Sequence, residues 1–283
     1  MTTDSGGPGS TIIDMDVAQF MVFAMIGALA GGVGGLLGIG GSTIFIPAAT
    51  LVFGSDQQSY QATAMILNAF VAITATVKHV RNGLVKKEVV IPMGISACIL
   101  VLAGVALSNH LEGDTLARLF GALLLCIAVN EARVLLRRAN AASPKADDLE
   151  VPRSIPSSLL ASIGAVMGFT GGLLGIGGGT IGVPLLKIGA RLPLKLAIAN
   201  AAAVTIPLAT IGAIYKNLSL ATLPDSTEQT SQHAIIIATA VVPGAIAGSW
   251  IGAELVHRLP LMAIRVAFLI LLLFAGTRML GIH

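Results

Sequence analysis

Residues 31–47 read GGVGGLLGIGGSTIFIP, and residues 168–184 read GFTGGLLGIGGGTIGVP, the same text 137 positions later. Twelve of the 17 positions are identical, and Leu36, Leu37, Ile39, Thr43, Ile44 and Pro47 recur in register as Leu173, Leu174, Ile176, Thr180, Ile181 and Pro184. Glycine-rich composition alone does not reproduce those apolar positions, so the chain is an internal duplication. Each copy interrupts an apolar segment with glycines and then a proline. In a membrane-embedded chain, that combination points to a discontinuous helix beside a translocated substrate.

The membrane setting follows from composition. With 55% hydrophobic and 11% charged residues, the chain has too little polar surface to wrap a soluble core, and its apolar runs continue for about twenty residues, the length of a spanning helix. Short alternating segments, as in a membrane β-barrel, are absent from the text. The expectation is an all-α polytopic membrane protein. The net charge of +3 is carried by Lys and Arg in short loops, which reflects topology and gives no reason to expect a nucleic-acid partner. Cys98 and Cys126 lie in apolar runs without metal or disulfide spacing and read as packing residues. The first sixteen residues carry Asp4, Asp14 and Asp16 and no basic residue, so no cleaved targeting segment is expected.

Along the chain, 1–16 is a polar segment and 17–136 the first repeat. The uncharged interval between Asp16 and Asp56 is split by glycines into Val17–Ala30 and Ser42–Phe53, fourteen and twelve residues, lengths that suit half-membrane helices. Three spans follow, over Gln57–Val77, Val89–Asn109 and Thr115–Leu136. Residues 137–156 read as an exposed linker. The second repeat, 157–283, begins with another glycine-split interval, within Ser154–Leu186, followed by spans over Leu196–Tyr215, Ala234–Ala253 and Pro260–Leu280. Downstream of the glycine element the repeats match loosely, as where Lys78–Asn82 resembles Tyr215–Asn217.

Lys and Arg favour cytoplasmic loops. Lys78, Arg81, Lys86 and Lys87, the linker, and Lys187, Arg191 and Lys195 then lie inside, while the acidic N-terminus and the loops of Asp56, Glu112 and Glu228 lie outside. The linker and the Lys187 loop share a side only if the second glycine element re-enters the membrane or crosses it twice. The same parity holds for the first element, facing the other way, which gives repeats inverted in topology. Kinked single spans and parallel repeats are the alternative.

Broken backbone in the hydrocarbon has to be buried in protein or line a cavity. The glycines permit positive φ, and a helix starting just after them presents unpaired amides, which attract anions. Two such ends meeting near the midplane form an anion site without a buried lysine or arginine. The candidates are Gly38, Gly40, Gly41, Ser42 and Thr43 in one copy and Gly175, Gly177, Gly178, Gly179 and Thr180 in the other, with Asn68 and Asn200, and beyond them Thr63 and Thr205, in the spans that follow. The outer spacings Gly27–Gly31, Gly164–Gly168 and Gly244–Gly248–Gly252 read instead as helix-packing positions. The GxGxxG formed by Gly177, Gly179 and Gly182 lacks an acidic ribose partner and has no equivalent in the first copy, so no nucleotide or other cofactor is expected.

The motifs GGLLGIGGSTIFIP (Gly34–Pro47) and GGLLGIGGGTIGVP (Gly171–Pro184) resemble the TauE/SafE family of sulfite and organosulfonate exporters, also called the 4-toluene sulfonate uptake permease family. The resemblance implies a multi-pass protein of the cell inner membrane, moving small sulfur-containing anions such as sulfite or sulfoacetate. It agrees with the anion required by the paired helix ends. Ser42 stands where the second copy has Gly179, a departure that makes the half-sites chemically unequal.

Glu131 is a carboxylate inside a span with no basic residue at i+3 or i+4, and reads as a structural pair or a proton-coupling group. His79, beside Lys78 and Arg81, reads as a loop histidine or a second coupling candidate. Arg118, Arg265 and Arg278 lie near helix ends, where they snorkel. The expected activity is secondary transport of a small anion by alternating access, with lipid and substrate as partners, a proton as the candidate coupling ion and homo-oligomerisation left open. An anion channel is the first rival. No HExxH, carboxylate pair or Ser/His/Asp set supports an enzyme.

Overall fold

The computed structural model describes residues 15–37, 40–54, 56–139, 155–221, 228–255 and 261–281. Among these there are ten helices and no strand: α1 (Val17–Leu37), α2 (Ser42–Phe53), α3 (Gln57–Arg81), α4 (Lys87–Asn109) and α5 (Gly113–Ala139), then α6 (Ser157–Leu174), α7 (Gly179–Ile188), α8 (Leu194–Leu220), α9 (Glu228–Leu255) and α10 (Leu261–Met279). Seven of them, α1, α3, α4, α5, α6, α8 and α9, are long and apolar enough to cross a membrane. The chain is a multi-pass membrane protein. By contrast α2 and α7 have 12 and 10 residues, which at about 1.5 Å per residue reach roughly half of a ~30 Å hydrocarbon layer.

The halves are interleaved. α1 packs on α9 and α6 on α4, so the first helix of each half lies against the fourth helix of the other, while α3 packs on α8 and α5 on α10. Small residues make this contact. A Cβ added to Gly27 or Gly31 would stand 2.2 or 2.0 Å from the carbonyl oxygens of Val241 and Ala245, and one on Gly244 or Gly248 equally close to those of Ala24 and Ala28. Gly164, Gly168 and Gly172 stand the same way against the carbonyls of Met93, Ala97 and Val101. Such backbone-to-backbone approach gains dispersion contacts that helices in lipid cannot gain from hydrophobicity alone. The outer spacings are thus packing positions. The surroundings of Gly252 lie outside the described residues. On the opposite face of α1, Met21, Met25 and Leu29 are exposed, as suits side chains that meet lipid.

The first glycine element differs from expectation. Instead of ending near Ala30, α1 remains helical through Gly31–Gly35 to Leu37 and has the length of a full span. Its glycines are spent on packing against α9 and on admitting the returning chain: a Cβ on Gly34 would stand 2.7 Å from the carbonyl of Gly40. Between the end of α1 at Leu37 and the start of α2 at Ser42 the described residues are Gly40 and Gly41, and in the second copy the interruption is Gly175–Gly178. The linker expected over 137–156 falls mostly on residues outside the described ones, as does nearly all of segment 1–16.

Candidate functional site

Each break contains a glycine in the left-handed region, Gly40 at φ +82° and Gly175 at φ +69°, a region closed to most side chains, but the two are not equivalent positions, since Gly40 matches Gly177 in the duplication. After the turn, the Gly41 carbonyl accepts from Ile44 and Phe45 at 3.1 and 3.0 Å, and the Gly178 carbonyl accepts from Gly182 at 2.7 Å, so α2 and α7 start on glycine caps that carry no side chain. Pro47 and Pro184 lack the N–H that would close onto the carbonyls of Thr43 and Thr180 four residues earlier.

What a helix-capping side chain normally supplies comes here from elsewhere. The amide of Ser42 donates to Asn68 Oδ1 at 3.2 Å, and the amide of Gly177 donates across the duplication to Ser42 Oγ at 3.0 Å. Asn68 Nδ2 in turn donates to the Gly175 carbonyl at 3.2 Å, so one α3 side chain holds both breaks. The hydroxyls of Thr43 and Thr180 meet at 3.0 Å. The two breaks therefore face each other, and Gly40 and Gly177 are close enough that a Cβ on Gly40 would lie 3.3 Å from Gly177 Cα. Ser42, Thr43, Asn68 and Thr180 are all buried. No charged side chain touches this junction among the described contacts, leaving backbone dipoles and neutral polar groups to set its potential.

A narrow cavity runs from the junction along α3. It is lined by Gly40, Asn68, Ala72, His79, Gly179 and Thr205, among others, with room of about 30 Å³, enough for about two waters. Of the candidates read from sequence, the structure thus brings together Gly40, Gly41, Ser42, Thr43, Gly175, Gly177, Gly178, Gly179, Thr180 and Asn68, and adds His79 and Thr205 through the cavity. Gly38 lies outside the described residues.

Others sit apart. Asn200 Oδ1 accepts from the Lys86 amide at 2.8 Å and its Nδ2 donates to the Leu84 carbonyl at 3.2 Å, so it holds the α3–α4 loop rather than the junction. Thr63 donates to the Ala234 carbonyl and ties α3 to α9. Glu131 Oε1 accepts from Arg265 Nη1 at 2.8 Å. This partner comes from the neighbouring helix α10.

One polar group escaped the sequence reading. Lys216 has no exposed surface and its Nζ donates to Gln58 Oε1, Ser108 Oγ and Asn109 Oδ1. The span ending at Tyr215 in the text continues to Leu220 in the fold, which carries Lys216 inward.

The family model described as Sulfite exporter TauE/SafE matches residues 23–279. Among curated proteins, the chain is 27% identical to Probable membrane transporter protein MamO of Paramagnetospirillum magneticum, over 93% of this chain and 44% of that protein. It is 24% identical to Probable membrane transporter protein YdhB of Bacillus subtilis, over 92% of this chain and 100% of that protein. The chain thus spans less than half of the MamO relative and the whole of YdhB. No solved structure matches it.

Proposed function

This chain belongs to the TauE/SafE sulfite exporter family, and from that premise we propose that it is a secondary transporter of a small sulfur-containing anion, by alternating access at the paired breaks. Sulfite suits the narrow cavity better than a bulky sulfonate. The observation that carries the reading is the pair of side-chain oxygens on backbone amides at the junction: Asn68 Oδ1 on the Ser42 amide, which opens α2, and Ser42 Oγ on the Gly177 amide just ahead of α7. Neutral oxygens rest where helix amides would hold the oxygens of an anion. A bound oxyanion takes over those donors, Asn68 and Ser42 turn away, and the junction that links the halves loosens. Binding and the change of access are then one event.

The exchanged pairing of α1 with α9 and of α6 with α4 supports repeats inverted in the membrane, and the Lys and Arg loops support a cytoplasmic His79 end of α3 in the cell inner membrane. Of the two coupling candidates, His79 borders the cavity while Glu131 is engaged by Arg265, so a coupling proton is assigned to His79. Export is the direction in the family's description.

The test is thermal unfolding of purified protein with sulfite, sulfoacetate, taurine, sulfate or chloride, beside Asn68→Ala. A ligand at a hundred times its dissociation constant stabilises by about 2.7 kcal/mol. A sulfur anion that stabilises the parent, and stabilises Asn68→Ala more strongly because no carboxamide oxygen then competes for the Ser42 amide, is the expected result. Silence from every anion, or an equal response in the variant, removes the site.

A further inference from the structure

The cavity lies on one side of the junction. It is bounded by the later half of α3, with Asn68, Ala72 and His79, and by the earlier half of α8, with Ile198, Ala202 and Thr205. α3 and α8 begin at Gln57 and Leu194, the same 137-residue offset that relates the glycine motifs and their two facing threonines. At that offset Asn68 corresponds to Thr205, Ala72 to Ala209, and His79 to Lys216. The helices cross in opposite senses, since Gln58 meets Lys216 and a Cβ on Gly212 would lie 3.2 Å from Met65 Sδ. The exchanged counterpart of the cavity is therefore the region between the early half of α3 and the late half of α8. There a Cβ on Gly212 would already crowd Val101 Cγ2 at 3.0 Å and Met65 Sδ at 3.2 Å, and Met65, Leu208, Ala209 and Lys216 are buried.

This packed region has the chemistry of a path rather than of a core. Gln57 Nε2 and Oε1, Gln61 Oε1 and Asn217 Oδ1 are buried without a hydrogen-bond partner, a costly state that interiors avoid. Gln57, Gln61 and Asn68 fall at i, i+4 and i+11 on one face of α3, continued by Ala72 and His79. Polar groups thus mark this face at both ends of the helix. Lys216 completes the pattern. Its three N–H groups are all engaged, by Gln58, Ser108 and Asn109, which matches the donor count of an ammonium. None of these partners is a carboxylate, and no salt bridge reaches it among the described residues. Its nitrogen is held by neutral oxygens alone, which suits an intramembrane ionisable side chain meant to meet an anion.

We propose that Lys216 is the counterpart of His79 on the half of the pathway that is closed in this structure, and that its bonds to Gln58, Ser108 and Asn109 are the latch of that closed half. The inference rests on the transporter reading above. When the latch opens, Met65 and Leu208 part, Gln57 and Gln61 gain water, and Lys216 lines the opposite mouth as a positioning residue for the anion.

Accessibility of introduced thiols tests this without knowledge of the substrate. In full-length protein reconstituted into vesicles, with Cys98→Ser and Cys126→Ser as background, Ala72→Cys and Ala209→Cys are labelled by a membrane-impermeant maleimide from either face. The Ala72→Cys thiol reacts from the face bearing Lys78 and Arg81. The Ala209→Cys thiol is slow in the parent. It accelerates, from the opposite face, when Lys216→Met or separately Asn109→Ala is added, by about tenfold for the loss of one hydrogen bond to a charged group. Asn109→Ala leaves the lysine in place, so a folding failure of Lys216→Met does not decide the outcome. If the Ala209→Cys thiol stays slow in both backgrounds, or is reached from the same face as Ala72→Cys, the latch is wrong and the transporter reading stands. If the Ala72→Cys thiol is reached from neither face, the cavity is no pathway and both fall.

Discussion

The hydroxyls of Thr43 and Thr180, 137 residues apart, lie 3.0 Å from each other where the two helix breaks meet. Thr43 has no exposed surface, so removing its partner leaves a buried hydroxyl without this bond. Thr180→Val is expected to lower stability by about 1–3 kcal/mol, the cost of an unsatisfied buried polar group. Adding Thr43→Val removes the orphan and recovers part of the loss, while anion uptake remains lost in both. Thermal unfolding and vesicle uptake, measured as a double-mutant cycle, give the two readouts; additive losses of stability would show that the hydroxyls are not coupled.

Glycine positions separate into two kinds. Gly168→Ala places a Cβ 2.3 Å from the Ala97 carbonyl oxygen, so α6 and α4 have to move apart, and a loss of about 1–3 kcal/mol or more is expected. Gly94, also inside a helix, has nothing within 4 Å of such a Cβ. Gly94→Ala is expected to be neutral or to stabilise by about 0.5–1 kcal/mol. Melting temperatures in one detergent rank the two; equal effects would mean that α4 and α6 are not in backbone contact.

Glu131 and Arg265 form an ion pair whose side chains are 16 and 12% exposed. Glu131→Gln leaves a mostly buried guanidinium without its counter-charge, and a loss of about 3–5 kcal/mol is expected. Transport per folded molecule stays unchanged, because neither residue borders the cavity. Loss of proton-dependent uptake in folded Glu131→Gln would move the coupling site here from His79.

At the start of α3, Asp56 caps the helix by accepting from the Ser59 amide at 3.2 Å and also meets His233 Nδ1 at 3.2 Å. Burial pushes its carboxyl pKa up, but the hydrogen bonds from His233 and Ser59 outweigh that and leave it below the ordinary value of 3.8. A carboxylate lowered on folding contributes stability above its unfolded pKa and loses it as pH falls through the folded one. The parent is therefore expected to exceed Asp56→Asn, which keeps the cap, at neutral pH, with the gap closing below about pH 4. The side chain is 37% exposed, so the gap stays under about 1 kcal/mol. Unfolding scans across acidic pH check it; a gap that widens on acidification would reverse the sign.

The breaks were legible because glycine and proline act through the backbone: a permitted positive φ and a missing N–H follow from residue type, although which glycine of each motif takes the positive φ, Gly40 in one and Gly175 in the other, did not. Two glycines in register sufficed to locate Gly40 and Gly177. The extent of α1 was not legible, because Gly31 reads the same in a turn as in a helix until the carbonyl of Ala245 is seen beside it. Asn200 and Asn68 look alike as asparagines inside apolar runs. Only the fold sends one to the Lys86 amide and the other to the Ser42 amide. Lys216 was hidden for a related reason, since a lysine at the end of an apolar run reads as an interfacial residue until neighbouring helices close over it.

The exchanged packing of first and fourth helices makes each half depend on the other. Cut at the linker, either half would lose the helix whose backbone meets the glycine-lined face of its own α1 or α6, so the two halves are expected to be stable only together. Ser42 opposite Gly179, and His79 opposite Lys216, are differences that an identical pair of subunits could not have held.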